Sequence, residues 1–581
     1  MLFFPSFTNF MAMKRVLTIF LAIALTAAGA GRIYAQKEHR ALIFPVEFSD
    51  IKFSISPETL DSLATELSAY YKSQFLGSRE FIFDIAPVSR INGSYSIFGS
   101  NTSYKRDALA YKMALNVFKN HYGSIDYSLY DNDKDGFIND IIFITPGVSE
   151  AAGGGENQFW PEYNELEDKD IPYNLRYKLK GYALASEFSA DSTAAGIGVL
   201  AHEFGHILGL KDMYDADGDG SGGFCPGLGR TSLMDIGANN DCGRTPPNLN
   251  AIERDILGCG QCEVLDSVGN YSLEPIQLNG RYLKIPSYTE NRYYLLENRK
   301  AEGRDAFIGG EGMLIYKVDR SDTPAGFSTY FQRTLSALER WQRNQVNCNP
   351  EFPCAAIIPA HADSTDSSLL FWPQEDRTVF SPGRIAITDM ARSADGNISF
   401  KAVEPLKIEG TSVFQSSAII AWSISRDLGQ VDSCKLEWST QSSVLGRVDG
   451  VAAGDNTYSY TIKGLSPRTT YRYTATVYYS DGASYSAGGS FTTRIYRQGI
   501  FRFIWLGDAQ RNRDGSLKAG TAIPLIVYNS VNEEISWTFN GRPVSTGPDG
   551  LWVVPGNGML KAEITNADGS RDVIIKEVTV K

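Results

Sequence analysis

Apolar and polar positions alternate with two different rhythms along this chain. Residues 40–48 form a nearly unbroken apolar run that predicts a buried strand. Residues 57–74 place apolar side chains at helical intervals and end in Tyr70-Tyr71, which predicts a helix. A second strand is predicted over 81–88, a second helix over 105–121 and a third strand over 141–144. Residues 181–188 read as the strand edging a cleft, where an extended peptide could pair, and 192–210 read as one helix. Strands at 293–297 and 312–318 belong to the same unit, which closes near 398–400.

From about 406 to 494 the rhythm changes to short strands punctuated by turns. Trp422 stands as the core aromatic of an early strand, and residues 464–471 have the form of a tyrosine corner ending on Tyr471. This stretch resembles a fibronectin type III domain. A further β module follows, with 535–541 as its clearest strand and turn, read as an immunoglobulin-like sandwich. The aromatics of both modules alternate as buried strand residues do, and neither module carries a catalytic constellation.

With 581 residues the chain is too long for one core. A net charge of −12 argues against nucleic acid and against an anionic membrane surface as partners. Lys14-Arg15 followed by the apolar run 16–25 and small residues has the form of an export signal. The expected cleavage follows Ala35, with Ala30 as the second choice, and translation starting at Met11 or Met13 would serve equally. The apolar run is shorter than a membrane span needs, so no span is expected after cleavage. Seven cysteines in an exported chain suggest disulfides with one thiol left over. Cys348 with Cys354, and Cys225 with Cys242, are the plausible pairs; Cys259 and Cys262 have redox-motif spacing without a partner set, and Cys434 stands alone.

The strongest chemical signal is the stretch 200–212, which contains His-Glu-x-x-His. His202 and His206, four apart, project from one helix face and can hold one Zn²⁺, with Glu203 beside it as general base. Gly209 can turn the backbone so that Asp212 returns as an oxygen ligand, leaving a fourth position for water. Met234, in Ser232-Leu233-Met234-Asp235, sits where a Met-turn would form a floor under the histidines. His39, His121 and His361 have no comparable partners in sequence.

Two acidic loops suggest structural Ca²⁺. Asp131, Asp133 and Asp135, with Asp140 or Asn139, converge around a turn that Gly136 permits, although Ile142 stands where a complete EF-hand carries Glu. Asp215, Asp217 and Asp219 repeat the pattern between the zinc helix and the Met-turn, where a flexible glycine-rich turn is the equal alternative.

Taken together, the zinc motif, the Met-turn, the Asp131 loop and the strands at 41–48 and 293–318 resemble the bacterial immune inhibitor A family of secreted metallopeptidases, over about residues 40–400. The resemblance implies an α+β, metzincin-like catalytic domain and a calcium-stabilised zinc endopeptidase, with His202, His206 and Asp212 as ligands, Glu203 as base and Met234 as the Met-turn residue. Two departures stand out: no sizeable prosegment is visible, and Ile236 occupies the place where some metzincins carry a Tyr, a role open to Tyr214 or another Tyr. The expected organisation is multidomain: signal peptide 1–35, catalytic domain 36–403, then two all-β sandwich domains over 404–495 and 496–581. The expected protein is secreted or cell-surface, monomeric and active on protein or peptide substrates, its β modules open to host or surface glycoprotein or glycan. The competing expectations are a silent binding protein or adhesin that works through those modules, and an amidase acting on wall or glycoprotein material.

Overall fold

The computed structural model describes residues 38–581 apart from 104, 363–365, 442, 453–455, 481, 494–502, 508–510, 519, 529, 531–533, 548–549 and 566–570. The export signal expected over 1–35 lies outside the described residues. Of the described residues, those in 38–264, 273–374 and 392–398 form one compact unit, and those in 265–272, 375–391 and 399–581 a second.

The first unit starts with β1 (Glu38–Glu47), the helix α1 (Pro57–Gln74) and β2 (Glu80–Ile85). There follow α2 (Ala110–Asn120), β3 (Ile141–Val148), β4 (Glu162–Glu165) and β5 (Gly181–Phe188). The main path of their sheet runs β2-β1-β3-β5-β4, parallel except for the last pair. Strand alternation sorts its side chains into two cores. Ala41 and Ile43 of β1 join Leu60, Leu67, Tyr70 and Tyr71 of α1 on one face, while Leu42, Phe44 and Val46 join Met113, Val117 and Phe118 of α2 on the other. A sheet covered on both faces needs the near-continuous apolar runs seen in the sequence.

The strand 181–188 was expected to edge the cleft. Instead β4 pairs with it antiparallel, Glu162 to Leu184 through Glu165 to Gly181, and β4 is the edge. The residues of β4 are mostly polar, so apolar patterning gave no sign of it.

Helix ends follow local chemistry. α1 begins at Ser56, whose hydroxyl accepts from the Thr59 amide, with Pro57 in the first turn, and it ends where Leu76 and Gly77 take positive φ. α2 starts at 110 rather than 105 because Asp107 is left-handed, at φ 44°. The helix expected over 192–210 is α3 (Ile197–Ile207). Ser192 is left-handed at φ 60° and Gly196 is extended, so the preceding residues make a tight turn against β5.

After α3 come α4 (Ala251–Leu257), β6 (Gln261–Val264), β7 (Arg281–Pro286), β8 (Arg292–Arg299), β9 (Gly312–Asp319), α5 (Ala337–Gln342) and β10 (Ala355–Ile357). Their strands form a second sheet in the order β10-β9-β8-β7-β6.

In the second unit, the strands Leu406–Val413, Ser417–Ile424, Val451–Ala452 and Thr457–Lys463 make one sheet. Val431–Ser439, Val444–Asp449, Thr470–Tyr479 and Ser484–Thr492 make another, and the two share a core around Trp422, Leu436 and Val477. The Tyr471 hydroxyl accepts from the Ser466 amide at 2.8 Å, which closes the corner expected there. A separate core around Ile504, Ile523, Leu560 and Ile564 follows, under strands that include Glu534–Phe539, Gly558–Thr565 and Arg571–Val578.

All seven cysteines are free thiols, so the expected disulfides do not form in this structure. Cys225 is buried while Cys242 is exposed. Cys348 and Cys354 are both buried but turn to different backbone groups: Cys354 Sγ lies 3.8 Å from Phe352 O, and Cys348 faces the amides of Ala216 and Asp217.

Candidate metal centre

The centre is built on α3, whose apolar residues Ile197, Leu200, Ala201 and Phe204 face the sheet. Phe204 packs edge-on against Tyr71, Phe81 and Phe83, with ring centroids 5.0, 6.1 and 4.8 Å away. Burying one such side chain stabilises by about 1.5–3 kcal/mol, which anchors the helix and leaves its other face to the cleft. That face carries His202, Glu203 and His206.

The chain leaves the helix at Gly209, with φ 105°, and brings Asp212 back beside the two imidazoles. Asp212 Oδ1 lies 3.2 Å from both His202 Nε2 and His206 Nε2. Carbonyls orient the rings from behind: His202 Nδ1 is 2.9 Å from Leu233 O, and His206 Nδ1 is 3.0 Å from Leu210 O. A carbonyl only accepts, so each Nδ1 carries a proton; the Nε2 facing the carboxylate then holds a second proton or, in the neutral ring, a lone pair free for a metal.

With both rings neutral, three acceptor atoms converge on one point. Asp212 Oδ1 is buried and has no hydrogen-bond partner, and Glu203 Oε2 is in the same condition. Nitrogen and oxygen ligands at tetrahedral zinc distances stand about 3.3 Å apart, so the observed spacing fits a zinc ion. Electrostatics agree. Burial works against a charge on His202, but Asp212 and Glu203 outweigh it and raise the imidazole to about 9. Burial also opposes ionisation of Asp212, yet the paired imidazoles hold its carboxyl far below the usual range. A field that retains a proton here retains a cation equally well. Burial pushes Glu203 up to about 7.

Met234 is fully buried beneath the helix. A Cβ on Gly205 would stand 2.8 Å from Met234 Sδ, so only glycine lets the helix approach the methionine this closely. The Met234 amide and the Ser232 hydroxyl both donate to Glu253 Oε1, at 3.1 and 2.6 Å, fixing this turn to the start of α4.

The cleft above the centre measures about 740 Å³ and is lined by β4 residues Glu162, Tyr163 and Glu165 together with Arg106, Lys180 and Asn344. A smaller hollow of about 240 Å³, walled by Trp160, Val199, Ile236 and Ala238, shares His202 and Glu203 with it. Tyr214 borders both, its ring 6.4 Å from that of His202.

The acidic loops are less uniform than expected. Asp131, Asp133 and Asp135 do cluster, although Asp131 accepts from the amides of Asp135 and Gly136, and Asp135 from that of Phe137. Asp140 is diverted: His39 Nε2 at 2.6 Å and Asn132 Nδ2 at 2.8 Å take its two oxygens. In the second loop Asp215 and Asp217 meet Cys348, while Asp219 is exposed outside that group. A thiol in place of a third oxygen makes this a poor match to Ca²⁺, which takes oxygen ligands.

One residue beside the centre was missed from sequence. Asn344 accepts from the Asp212 amide at 2.7 Å and donates to Asp212 Oδ2 at 2.6 Å, across 132 positions of chain. The available signal was the asparagine-rich run 344–349, which carried no motif of its own.

Residues 46–255 match the family described as immune inhibitor A peptidase M6, catalytic domain. Immune inhibitor A of Bacillus thuringiensis subsp. alesti is 33% identical over 103 residues, covering 16% of this chain and 14% of that protein. The pre-pro-metalloprotease PrtV of Vibrio cholerae serotype O1 (strain M66-2) is 25% identical over 217 residues, covering 32% of this chain and 23% of that protein. The chain thus spans less than a quarter of the length of these curated relatives. Among solved structures, the fibronectin(III)-like modules of Clostridium thermocellum CbhA align with 30% of this chain and 94% of theirs at 13% identity, with a TM-score of 0.13 too low to bear on the fold.

Proposed function

We propose, from a segment that matches the immune inhibitor A peptidase M6 catalytic domain, that this protein is a zinc-dependent metalloendopeptidase of metzincin-like fold, acting on extracellular proteins. The observation that carries the reading is the convergence of His202 Nε2 and His206 Nε2 on Asp212 Oδ1, each 3.2 Å from it, beside the buried Glu203, whose Oε2 has no partner. Zinc, when bound, supplies Lewis-acid polarisation of the scissile carbonyl and a more acidic water. Glu203 takes the proton of the attacking water and hands it to the leaving amine. An extended substrate adds to the free edge of β4, and the hollow beside Ile236 and Val199 takes an apolar side chain. Tyr214, which borders the cleft, donates to the oxyanion. The N-terminal signal-like segment supports export, and no helix among the described residues is long and apolar enough to cross a membrane. The β modules then serve as fibronectin-like and immunoglobulin-like attachments.

The test is elemental analysis of the purified protein paired with casein cleavage before and after a zinc chelator. One zinc per chain with chelator-sensitive cleavage is expected. Zinc without cleavage favours a binding protein, and absence of zinc overturns the reading.

The pH dependence follows from Glu203. A base must be ionised, and burial holds this carboxyl at about 7 in the metal-free chain. A neighbouring cation favours the carboxylate and lowers that value. The acid limb of kcat/KM therefore falls below about 7, with activity lost as pH drops through it. A rate that climbed on acidification from pH 7 to 5 would exclude Glu203 as the base.

A further inference from the structure

We propose that Asn344 is a positioning residue that selects which oxygen of Asp212 faces the two histidines; this rests on the zinc reading above. The run Asn344-Gln345-Val346-Asn347-Cys348-Asn349 lies against residues 212–221, and each of its three asparagines bonds to that stretch. Asn344 binds both the amide and Oδ2 of Asp212. Asn347 Nδ2 donates to Met213 O at 2.8 Å while its Oδ1 accepts from the Ala355 amide at 3.1 Å. Asn349 Nδ2 donates to Ser221 O at 2.8 Å while its Oδ1 accepts from the Glu351 amide at 3.1 Å. The ligand loop is thereby buttoned to a segment that runs on from α5.

Asn344 differs from the other two in what it holds. Asn347 and Asn349 grip carbonyls and set the register. Asn344 grips the ligand itself. A free carboxylate can rotate and offer either oxygen or both, but engagement of Oδ2 by the Asn344 amide and of the Asp212 N–H by its carbonyl leaves Oδ1 to face Nε2 of both histidines. The hydrogen bond also draws charge from the carboxylate and disfavours two-oxygen ligation. Asparagine suits the place for a second reason: residue 344 is left-handed, at φ 54°, a conformation that Asn, Asp and Gly tolerate better than other residues. Its seat is rigid. The next amide, of Gln345, donates to Arg340 O at 2.9 Å, and α5 is closed by the reciprocal Ser336–Glu339 cap.

Two variants isolate the side chain. Asn344→Gly keeps the left-handed backbone and removes both bonds to Asp212. Asn344→Asp keeps the length and the acceptor but cannot donate to Oδ2 and sets a like charge against it. Zinc affinity is measured on the full chain by competition with a chromophoric chelator, and geometry by the visible spectrum of the cobalt(II)-substituted protein. The expected result is a zinc Kd raised about 10–100-fold in Asn344→Gly, more in Asn344→Asp, with an altered cobalt spectrum in both. Asn349→Ala, which loses a comparable bond away from the ligand, should lower thermal stability and leave Kd and spectrum unchanged. A Kd within about twofold of the parent in both Asn344 variants overturns the proposal. So does an equal loss in Asn349→Ala, which would assign the effect to general loosening. If the parent itself binds no zinc, the site reading fails and the inference goes with it, whereas tight zinc in the parent and in both variants sinks the inference alone.

Discussion

Glu203→Gln is expected to retain zinc and lose peptide hydrolysis, with kcat reduced about 10²–10⁴-fold. Glutamine matches glutamate in shape, so the three ligand atoms keep their places. The substitution also breaks nothing in the resting fold, because Glu203 Oε2 has no partner there. Burial already resists its ionisation, raising the carboxyl to about 7, so a neutral amide is no worse accommodated than the charged group. Thermal stability should hold or rise, as is common when a functional group kept at a cost to stability is removed. Elemental analysis, a melting curve and casein cleavage on the same preparation decide the matter. Equal cleavage by the variant removes Glu203 as base; lost zinc would mean the residue shapes the ligand set instead.

Arg299→Met destabilises the first unit by about 3–5 kcal/mol, because it strips the partner from two buried carboxylates. Arg299 and its neighbours Glu297 and Asp305 have fully buried side chains. The guanidinium donates to Asp305 through Nε at 2.9 Å and Nη2 at 2.5 Å, and to Glu297 Oε1 through Nη1 at 3.0 Å. It also reaches Thr231 O and Asn248 O, which flank the Met234 turn and the start of α4. Glu297 in turn accepts from the Tyr316 hydroxyl at 2.7 Å and from the Ala251 amide at 2.5 Å. Burial alone pushes the Glu297 carboxyl upward, and Arg299 counters it. Methionine fills much of the volume but leaves Glu297 and Asp305 without their cationic partner in a dry interior. Urea unfolding followed by circular dichroism and by loss of cleavage should show an earlier transition. Because the network stands behind the Met-turn, zinc retention near that midpoint should weaken as well. An unchanged transition would mean that Arg299 is replaceable by apolar packing, as some buried ion pairs are.

Local rules carried much of the reading. The helix at 57–74 was legible to its last residue because its apolar period is encoded within a few positions. The corner at Tyr471 was legible for the same reason. Local rules failed where polar residues form structure. β4 has little apolar character and is a strand only because β5 offers it an edge. Asp140 looked like a loop ligand until β1 brought His39 beside it, 101 positions away.

The sequence by itself determined the pair His202 and His206 with Glu203 between them, since 3.6 residues per turn leave a four-residue spacing on one helix face. It also determined that Gly209 could turn the chain back, since glycine adopts positive φ at little cost. Only the tertiary structure decided which Asp212 oxygen faces the imidazoles, what stands behind it, and how Arg299 ties the Met-turn to the second sheet. Those contacts join residues tens to more than a hundred positions apart, where no periodicity links the partners and chain topology alone brings them together.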